Sequence, residues 1–232
     1  MGGVSFYRSM KRYAILVAAG TGKRMGAPVP KQFLPVAGKP LLFHTLQRLH
    51  EFDGEMRLLL VLHGDYIETW KQLLEEYPVA IPHDVIRGGD ERFHSVKCAI
   101  DSIQDEDAIV GIHDGVRPLV SVDTLVRCYK TAESNGNAVP VIAANDSMRE
   151  VNGDHNHAID RSRIRIVQTP QCFRLKELRN AFAQPYQTTF TDDASVMESA
   201  GYSIHLVEGN RENIKVTTPE DLSWVEWMLS RV

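Results

Sequence analysis

Apolar residues gather in short continuous runs along the chain, and four of these runs have the length of a β-strand. A strand with one face in water alternates strictly between apolar and polar positions, and these runs do not. Continuous runs instead indicate strands covered on both faces, as in a parallel sheet between two layers of helices. The four predicted strands are residues 13–18, 56–62, 108–112 and 138–142.

Between these runs, apolar residues recur every three or four positions, which is the period of an α-helix with one buried face. The clearest examples lie in residues 66–77, 93–103 and 122–129. Alternating strands and helices predict an α/β fold, a Rossmann-like three-layer arrangement in which a mostly parallel sheet has helices on both faces. Right-handed crossovers would place the ligand crevice at the carboxyl edge of that sheet.

The last helix can be placed from its start signals. Thr218 is predicted to cap it, Pro219 to occupy its first position, and Asp221 to lie where a capping carboxylate belongs. An apolar stripe follows at residues 222, 225, 228 and 229. The chain is therefore expected to end in an amphipathic helix.

Residues 145–168 depart from this pattern because they are rich in polar residues and carry an Asn152-Gly153 turn signal near their middle. They predict a β-hairpin arm that leaves the domain. A lone hairpin is marginal in water, so we expect the arm to pack on a second copy of the chain in a homodimer, and a loose surface loop is the alternative. Residues 12–232 are expected to form one domain that carries this arm, after a disordered extension at residues 1–11.

Composition and charge narrow the classes of function. A net charge of −4 gives no sign of the basic face that binds nucleic-acid polymers. No apolar run approaches the roughly 20 residues that span a bilayer, and the first twelve residues lack the apolar core of a secretory signal. Cys98, Cys128 and Cys172 have neither redox-motif nor zinc-site spacing. We expect a cytoplasmic protein without a membrane or nucleic-acid partner.

The first segment with distinctive chemistry is AAGTGKRMG at residues 18–26, directly after the first predicted strand. Its glycines let the backbone bend tightly and bring N–H groups close to phosphate oxygens. It is neither a P-loop nor a dinucleotide fingerprint, since Lys23 is followed by Arg24 and Gly26 comes one residue late. Lys31 follows Arg24 by seven residues, and two cations suit phosphoryl transfer, in which charge builds at the reacting phosphorus. A plain turn with two solvated cations is the alternative.

Two further segments close predicted strands. Residues 87–92, RGGDER, open a helix that carries Ser95, and a helix N-terminus favours anions, although a turn with an acidic cap is the alternative. Residues 113–118, HDGVRP, place Asp114 at the expected ligand crevice. Its carboxylate can help to position a Mg²⁺ that is bound to triphosphate oxygens, because Mg²⁺ is usually held by one or two carboxylates together with phosphates. His113 alone is more simply a structural residue.

Three later segments contain further charged and hydroxyl-bearing residues that are candidates for a binding site. Asp160-Arg161 lies on the predicted arm and is followed by TPQ at residues 169–171. TDDAS at residues 191–195 can begin a helix capped by Thr191. NIKVT at residues 213–217 puts Lys215 among apolar neighbours in a predicted short strand, which is an odd place for a merely solvated charge.

Together and in this order, the segments resemble those of the 2-C-methyl-D-erythritol 4-phosphate cytidylyltransferases of the non-mevalonate isoprenoid pathway. The matching pieces run over residues 13–230: AAGTGKRMG, PKQFL, GGDER, HDGVRP, DR, TPQ, TDDAS and NIKVTTPEDL. The resemblance implies in-line attack of a phosphate oxygen of methylerythritol phosphate on the α-phosphorus of CTP, with Mg²⁺ as cofactor and pyrophosphate as leaving group. Positioning and charge stabilisation would drive the reaction without a covalent enzyme intermediate.

The resemblance also implies roles for single residues. The catalytic residues would be Arg24, Lys31, Arg161 and Lys215. The nucleotide would be bound by Ala18, Ala19, Gly20, Thr21, Gly22, Gly89, Asp90, Ser95, Asp114 and Gly115. The acceptor would be bound by Arg117, Ser147, Thr169 and Thr191. Asp114 would lie near the metal and the ribose, and Arg161 would serve the partner's site because the arm exchanges between two subunits in this family.

Some positions depart from the family pattern. Gly115-Val116 stands where the family often has two alanines, and Ser147, which keeps a hydroxyl, stands where it often has threonine. A valine before Arg117 also resembles the ribitol-5-phosphate cytidylyltransferases, so ribitol phosphate is an alternative acceptor. A dinucleotide-dependent oxidoreductase and a non-catalytic nucleotide sensor are further alternatives. The oxidoreductase would require the dinucleotide-binding glycine motif, which is absent from the sequence. The sensor would have less need of both Arg24 and Lys31.

Overall fold

A central β-sheet organises the chain in the computed structural model, which describes residues 10–20, 29–78 and 80–231. The strands, numbered in chain order, are β1 (Lys11–Val17), β2 (Pro35–Val36), β3 (Lys39–Pro40), β4 (Arg57–Leu62), β5 (Asp84–Arg87), β6 (Ala108–Asp114), β7 (Asn137–Ala143), β8 (Met148–Asn152), β9 (His155–Ile159), β10 (Arg165–Val167), β11 (Gln171–Arg174) and β12 (Leu206–Glu208).

Eight of these strands, counted over the described residues, form the main sheet, and most of it is parallel. β1 lies in the middle and pairs in parallel with β4 and β6, while β5 extends the sheet beyond β4. On the other side, β10 and β11 run antiparallel to β7, and β11 also pairs antiparallel with β6. β12 pairs in parallel with β7. The predicted mostly parallel sheet is confirmed, with β10 and β11 as an antiparallel insertion.

Six of the seven α-helices in the described residues cover the two faces of the sheet, as predicted, and the last one packs in a third buried apolar cluster. The helices are α1 (Leu41–Phe52), α2 (Ile67–Glu76), α3 (Arg92–Ser102), α4 (Val122–Asn135), α5 (Leu175–Phe182), α6 (Asp193–Ser199) and α7 (Pro219–Leu229). One buried apolar cluster joins α3, α5 and α6 to one face, and a second joins α1, α2 and α4 to the other. In β1, Ile15 faces the first cluster and Leu16 the second. Both faces are apolar, which explains the continuous apolar run that predicted this strand.

The four predicted strands and the first two predicted helices match the observed ones to within about two residues, whereas α4 continues six residues beyond the predicted range of 122–129. β6 is longer than predicted and ends at Asp114 itself. α7 begins with the predicted signals, since Thr218 and Asp221 form a reciprocal capping box and Pro219 lies in the first turn. Lys11 belongs to β1, one residue inside the predicted N-terminal extension, whose residues 1–9 lie outside the described part.

The predicted hairpin is confirmed as β8 and β9, which pair antiparallel as a two-stranded sheet of their own. The arm is shorter than the predicted residues 145–168, because β10 at its end pairs with β7 in the main sheet. Its turn differs by one residue from the prediction. Asn152 and His155 are register partners, so the two turn residues are Gly153 and Asp154. Gly153 has φ of +59°, a backbone conformation that costs glycine little and that tight hairpin turns require.

No helix in the described ranges is long and apolar enough to cross a membrane.

Candidate active site

Three loops meet at the carboxyl edge of the sheet because the strands that lead into them end at the same level. Val17 of β1 is the register partner of both Val61 and Asp114. Just beyond, the backbone N–H of Ala18 donates to Val61, that of Gly88 to Leu62, and that of Gly115 to Val17. The loops that begin at Ala18, Gly88 and Gly115 therefore lie side by side.

Glycine is needed at two positions of this edge because the loops approach each other closely. A Cβ on Gly115 would lie 3.0 Å from Cβ of Ala18. A Cβ on Gly88 would lie 2.7 Å from Oγ of Ser95 and 3.1 Å from Cβ of Ala19. A side chain at Gly88 would require the Ser95 hydroxyl to move, and one at Gly115 would require Ala18 or its other neighbours to shift slightly. These residues, most of which the sequence had assigned to the nucleotide, are thus brought together by packing.

The start of α3 supports the second loop. Ser95 is buried in the helix, and its hydroxyl donates to the backbone oxygen of Gly89 at 3.2 Å. Asp90 lies exposed in the turn before the helix, and Glu91 is the helix N-cap residue. The hydroxyl of Ser95 therefore holds the glycine loop against the helix, while Asp90 stays accessible at its rim.

Asp114 is the centre of charge in this region. Its Oδ2 accepts a hydrogen bond from Nε of Arg117 at 3.0 Å and forms an ion pair with Nζ of Lys215 at 3.2 Å. Burial alone would raise the pKa of Asp114, but Lys215, Arg92 and Arg117 together hold this pKa well below its ordinary value. Asp114 is therefore ionised at neutral pH and keeps two cations oriented toward the cleft.

Arg92, at the start of α3, is a cleft residue that sequence reasoning missed. Its guanidinium makes two parallel hydrogen bonds of 2.7 Å to the carboxylate of Asp193, whose side chain is almost completely buried. Such a bidentate pair fixes the guanidinium plane as well as its position. Arg92 stands in the GGDER segment and Asp193 in TDDAS, but no sequence signal joins two residues so far apart along the chain.

Buried His113 and Thr169 form a hydrogen-bonded support beneath Asp114. Nε2 of His113 lies 3.1 Å from the backbone oxygen of Arg117, and Nδ1 lies 2.9 Å from Oγ1 of Thr169. Burial lowers the pKa of His113 to about 4, so the ring is neutral at pH 7. The carbonyl can only accept, so Nε2 carries the proton and the Thr169 hydroxyl donates to Nδ1.

The same Thr169 hydroxyl accepts a hydrogen bond of 3.1 Å from the backbone N–H of Asp114. The hydroxyl proton of Thr169 is therefore committed to the protein itself. Although Thr169 borders the cleft, these bonds indicate a support for Asp114 more directly than a contact with substrate. His113 has the structural role that was expected of it.

Arg92, Asp114, Arg117, Thr169 and Lys215 border a cleft of about 310 Å³. Its lining consists of Arg92, Asp114, Arg117, Val167, Gln168, Thr169, Gln171, Thr191, Asp192 and Lys215. Nζ of Lys31 donates to the backbone oxygen of Val216 at 2.7 Å, so Lys31 lies beside the segment that carries Lys215. Cations from four separate parts of the sequence thus converge on one region, as phosphoryl chemistry requires.

Comparison with known proteins decides the family. A sequence model of the 2-C-methyl-D-erythritol 4-phosphate cytidylyltransferases matches residues 13–231. The chain belongs to this family. It is therefore an enzyme of the nucleotidyltransferase class. The family match does not favour the ribitol-phosphate, oxidoreductase or sensor alternatives.

Individual relatives agree with the family assignment. The 2-C-methyl-D-erythritol 4-phosphate cytidylyltransferase of Bacteroides thetaiotaomicron is 45% identical over 92% of this chain and 97% of its own length. That of Porphyromonas gingivalis is 46% identical over 95% and 98%. Among solved structures, the enzyme of Thermus thermophilus aligns with a TM-score of 0.76 and 30% identity over 96% of this chain and all of its own. The 4-diphosphocytidyl-2C-methyl-D-erythritol synthase of Anaerococcus prevotii has a TM-score of 0.80 at 25% identity, over 96% and 97%.

Some residues that the cytidylyltransferase resemblance assigned to the site lie elsewhere. Arg161 and Ser147 are exposed at the base of the arm and do not line the cleft of their own chain. The guanidinium of Arg161 donates to the backbone oxygen of Asn145. Thr21, Gly22 and Arg24 lie outside the described residues.

Two local predictions about this cytidylyltransferase were wrong. Lys215 does not lie in a strand, because residues 213–217 form an irregular segment held by side-chain hydrogen bonds. The residue that caps α6 is Asp192 and not Thr191, since Asp192 accepts from the backbone N–H of Ser195 at 2.9 Å. Thr191 remains at the cleft wall, one residue before the cap.

The cytidylyltransferase cleft suits a metal that arrives with its substrate. The described residues contain no group of three or more His, Cys, Asp or Glu side chains that could hold a metal ion by themselves. Mg²⁺, however, commonly uses only one or two carboxylates together with substrate phosphates and water. Asp114, ionised and at the cleft wall, fits that mode of binding.

Proposed function

We propose that the enzyme transfers CMP from CTP to the phosphate of 2-C-methyl-D-erythritol 4-phosphate, in the non-mevalonate pathway of isoprenoid synthesis. The observation that carries the proposal is the cluster of Arg92, Arg117 and Lys215 around ionised Asp114, beside Lys31. Two anionic reactants must approach one another in this reaction, and fixed cations reduce their repulsion.

The proposed step forms one bond and breaks one. A phosphate oxygen of the acceptor attacks the α-phosphorus of CTP, and the bond from that phosphorus to the oxygen bridging to the β-phosphorus breaks. Pyrophosphate leaves with the electron pair, and no enzyme group is modified. The enzyme's contribution is to align the two reactants and stabilise charge on the equatorial oxygens.

We assign the parts of this step by position. The loops at residues 18–20 and 88–90, with Ser95 and Gly115, hold the nucleotide, and the loop at residues 18–20 holds its cytosine base. Lys31 stabilises charge at the α-phosphate, and the family resemblance gives the same role to Arg24, which lies outside the described residues. Lys215 and Arg117 orient the acceptor phosphate, with Thr191 at the wall. Lys215 suits this role because 40% of its side chain is exposed while Asp114 holds its ammonium group in place.

Mg²⁺ would be held by Asp114 and by phosphate oxygens of CTP, and it would supply further positive charge at the phosphates. Asp114 has a second task that does not depend on the metal. Its carboxylate holds Lys215 and Arg117 before the substrates bind, so the cations need little rearrangement when the acceptor arrives.

We further propose that the arm joins two copies of the chain into a homodimer and brings Arg161 to the partner's cleft. β8 and β9 are mostly exposed, and Val151 has 69% of its surface in contact with solvent. A two-stranded sheet with an exposed apolar side chain is poorly stable by itself. The position of Arg161 outside its own cleft agrees with a role in trans.

The cytoplasm remains the proposed location. Cys98, Cys128 and Cys172 are all free thiols, a state that a reducing compartment maintains.

Pyrophosphate release measures the proposed reaction directly. The purified enzyme is supplied with Mg²⁺ and CTP and either methylerythritol 4-phosphate or ribitol 5-phosphate, with UTP and ATP as nucleotide controls. We expect turnover only with CTP and methylerythritol phosphate. Turnover with ribitol phosphate alone would keep the chemistry but replace the acceptor, and silence with both acceptors would refute the proposed function.

A further inference from the structure

Gln32 is a buried polar residue whose side chain serves the nucleotide loop. It has only 2% of its surface exposed and lies in a single 3-10 turn at Lys31–Phe33. Its Nε2 donates to the backbone oxygen of Ala18 at 2.8 Å and to that of Gly20 at 3.0 Å. Carbonyl oxygens can only accept, so the amide orientation is unambiguous, and both of its N–H groups are used.

The turn that carries Gln32 is held by other contacts as well. The ring of Phe33 stacks at 6.3 Å from that of Trp70 and meets the ring of Tyr66 edge-on at 5.9 Å. The backbone N–H of Phe33 donates to Pro30. Removal of the Gln32 amide should therefore leave the turn folded and change mainly the loop at residues 18–20.

The two carbonyls that Gln32 binds belong to the loop that the proposed function assigns to cytosine. A carbonyl oxygen has two lone pairs, and each of these oxygens uses one for Gln32. Within the described residues no other group donates a hydrogen bond to either oxygen, so the second lone pair can accept one from a ligand, and the bond to Gln32 fixes the direction in which it points. Cytosine carries an amino donor at C4, whereas uracil carries a carbonyl acceptor there. Fixed carbonyl oxygens attract the first and repel the second.

We propose that Gln32 is a positioning residue for nucleotide selection, which makes the enzyme prefer CTP to UTP by fixing the carbonyls of Ala18 and Gly20. This inference rests on the proposed function for the place of the base. A residue that only stabilised the fold would affect both nucleotides equally, so the ratio of the two affinities is the informative quantity.

The test compares Gln32→Met with Gln47→Met by calorimetric titration of CTP and UTP in the presence of Mg²⁺. Gln47 is a matched control because its amide also makes two hydrogen bonds, to Lys39 and Glu51, away from the loop. Loss of the two Gln32 bonds should weaken CTP binding by about tenfold or more. UTP binding should change less than about threefold, and the control should change neither.

Gln32→Glu is the second variant, because it keeps the shape of the side chain but replaces both donors with an acceptor. It should lose CTP selectivity at least as strongly. If thermal unfolding shows that Gln32→Met is not folded, Gln32→Glu takes its place in the comparison with Gln47→Met. Equal losses for CTP and UTP, or an unchanged CTP affinity, would overturn the role of Gln32.

The inference and the proposed function can fail separately. If the wild-type enzyme binds CTP selectively through Gln32 but does not use methylerythritol phosphate, only the acceptor assignment fails. If the wild-type enzyme turns over methylerythritol phosphate while Gln32→Met keeps its preference for CTP, only the role of Gln32 fails.

Discussion

Replacement of Thr169 with valine removes one hydroxyl and keeps the branched shape of the side chain. The hydroxyl donates to Nδ1 of His113 and accepts from the backbone N–H of Asp114, and Thr169 is only 5% exposed. Valine can replace neither bond, so one acceptor and one donor lose their partner in a buried region. Each such group costs about 1–3 kcal/mol. We therefore expect Thr169→Val to lower the free energy of unfolding by about 2–6 kcal/mol.

Urea or guanidinium unfolding measures this loss as a shift of the midpoint at an unchanged slope. Thr169→Ser keeps the hydroxyl and should recover most of the stability. Thr188→Val is the surface control, because Thr188 is exposed, and should stay within about 0.5 kcal/mol of the wild type. The structural role of the Thr169 hydroxyl would be refuted if Thr169→Val unfolded like the wild type and raised only the KM for a substrate. Thr169 would then act mainly as a binding residue.

Three further predictions address charge. As the pH falls from 6.5 to about 4, His113 takes up a proton in the unfolded state but stays neutral in the folded state, because burial lowers its pKa there. The free energy of unfolding should therefore decrease by about 3 kcal/mol over this range. His113→Gln should remove this part of the pH dependence from unfolding curves measured in acid. Lys31→Ala should lower kcat about 10²-fold or more with a smaller change in CTP affinity, and a near-normal kcat would remove Lys31 from the mechanism. Arg161→Ala should raise the KM for the acceptor more than that for CTP; a change confined to CTP would contradict the proposed place of the arm.

The main sheet was predictable because its parallel strands are apolar on both faces, as β1 shows. β11 was not predicted. It has only four residues, begins with Gln171 and lies antiparallel between two parallel strands, so neither its length nor its pattern distinguishes it from a loop. Its position depends on tertiary packing against β6 and β7, which a local pattern does not contain.

The residues of the site also fall into those that the sequence could identify and those that it could not. Asp114 was predictable because it lies at the end of a buried strand, and the end of a strand fixes the edge of the sheet at which a residue lies. Arg92 and Gln32 were missed because their importance depends on burial and on partners distant along the chain. Lys215 was recognised as unusual from its apolar neighbours, but its irregular backbone depends on hydrogen bonds from Asn213 and Arg117.

The two ends of the arm are neighbours in the main sheet, since Ala143 of β7 and Arg165 of β10 are register partners. The chain therefore leaves the domain and returns to it at almost the same point. Insertions and deletions in the intervening segment change no other connection of the sheet. Under the proposed dimerisation through the arm, evolution can therefore alter the assembly of this enzyme independently of its catalytic core, and exchange of arms between relatives should redirect which subunits associate.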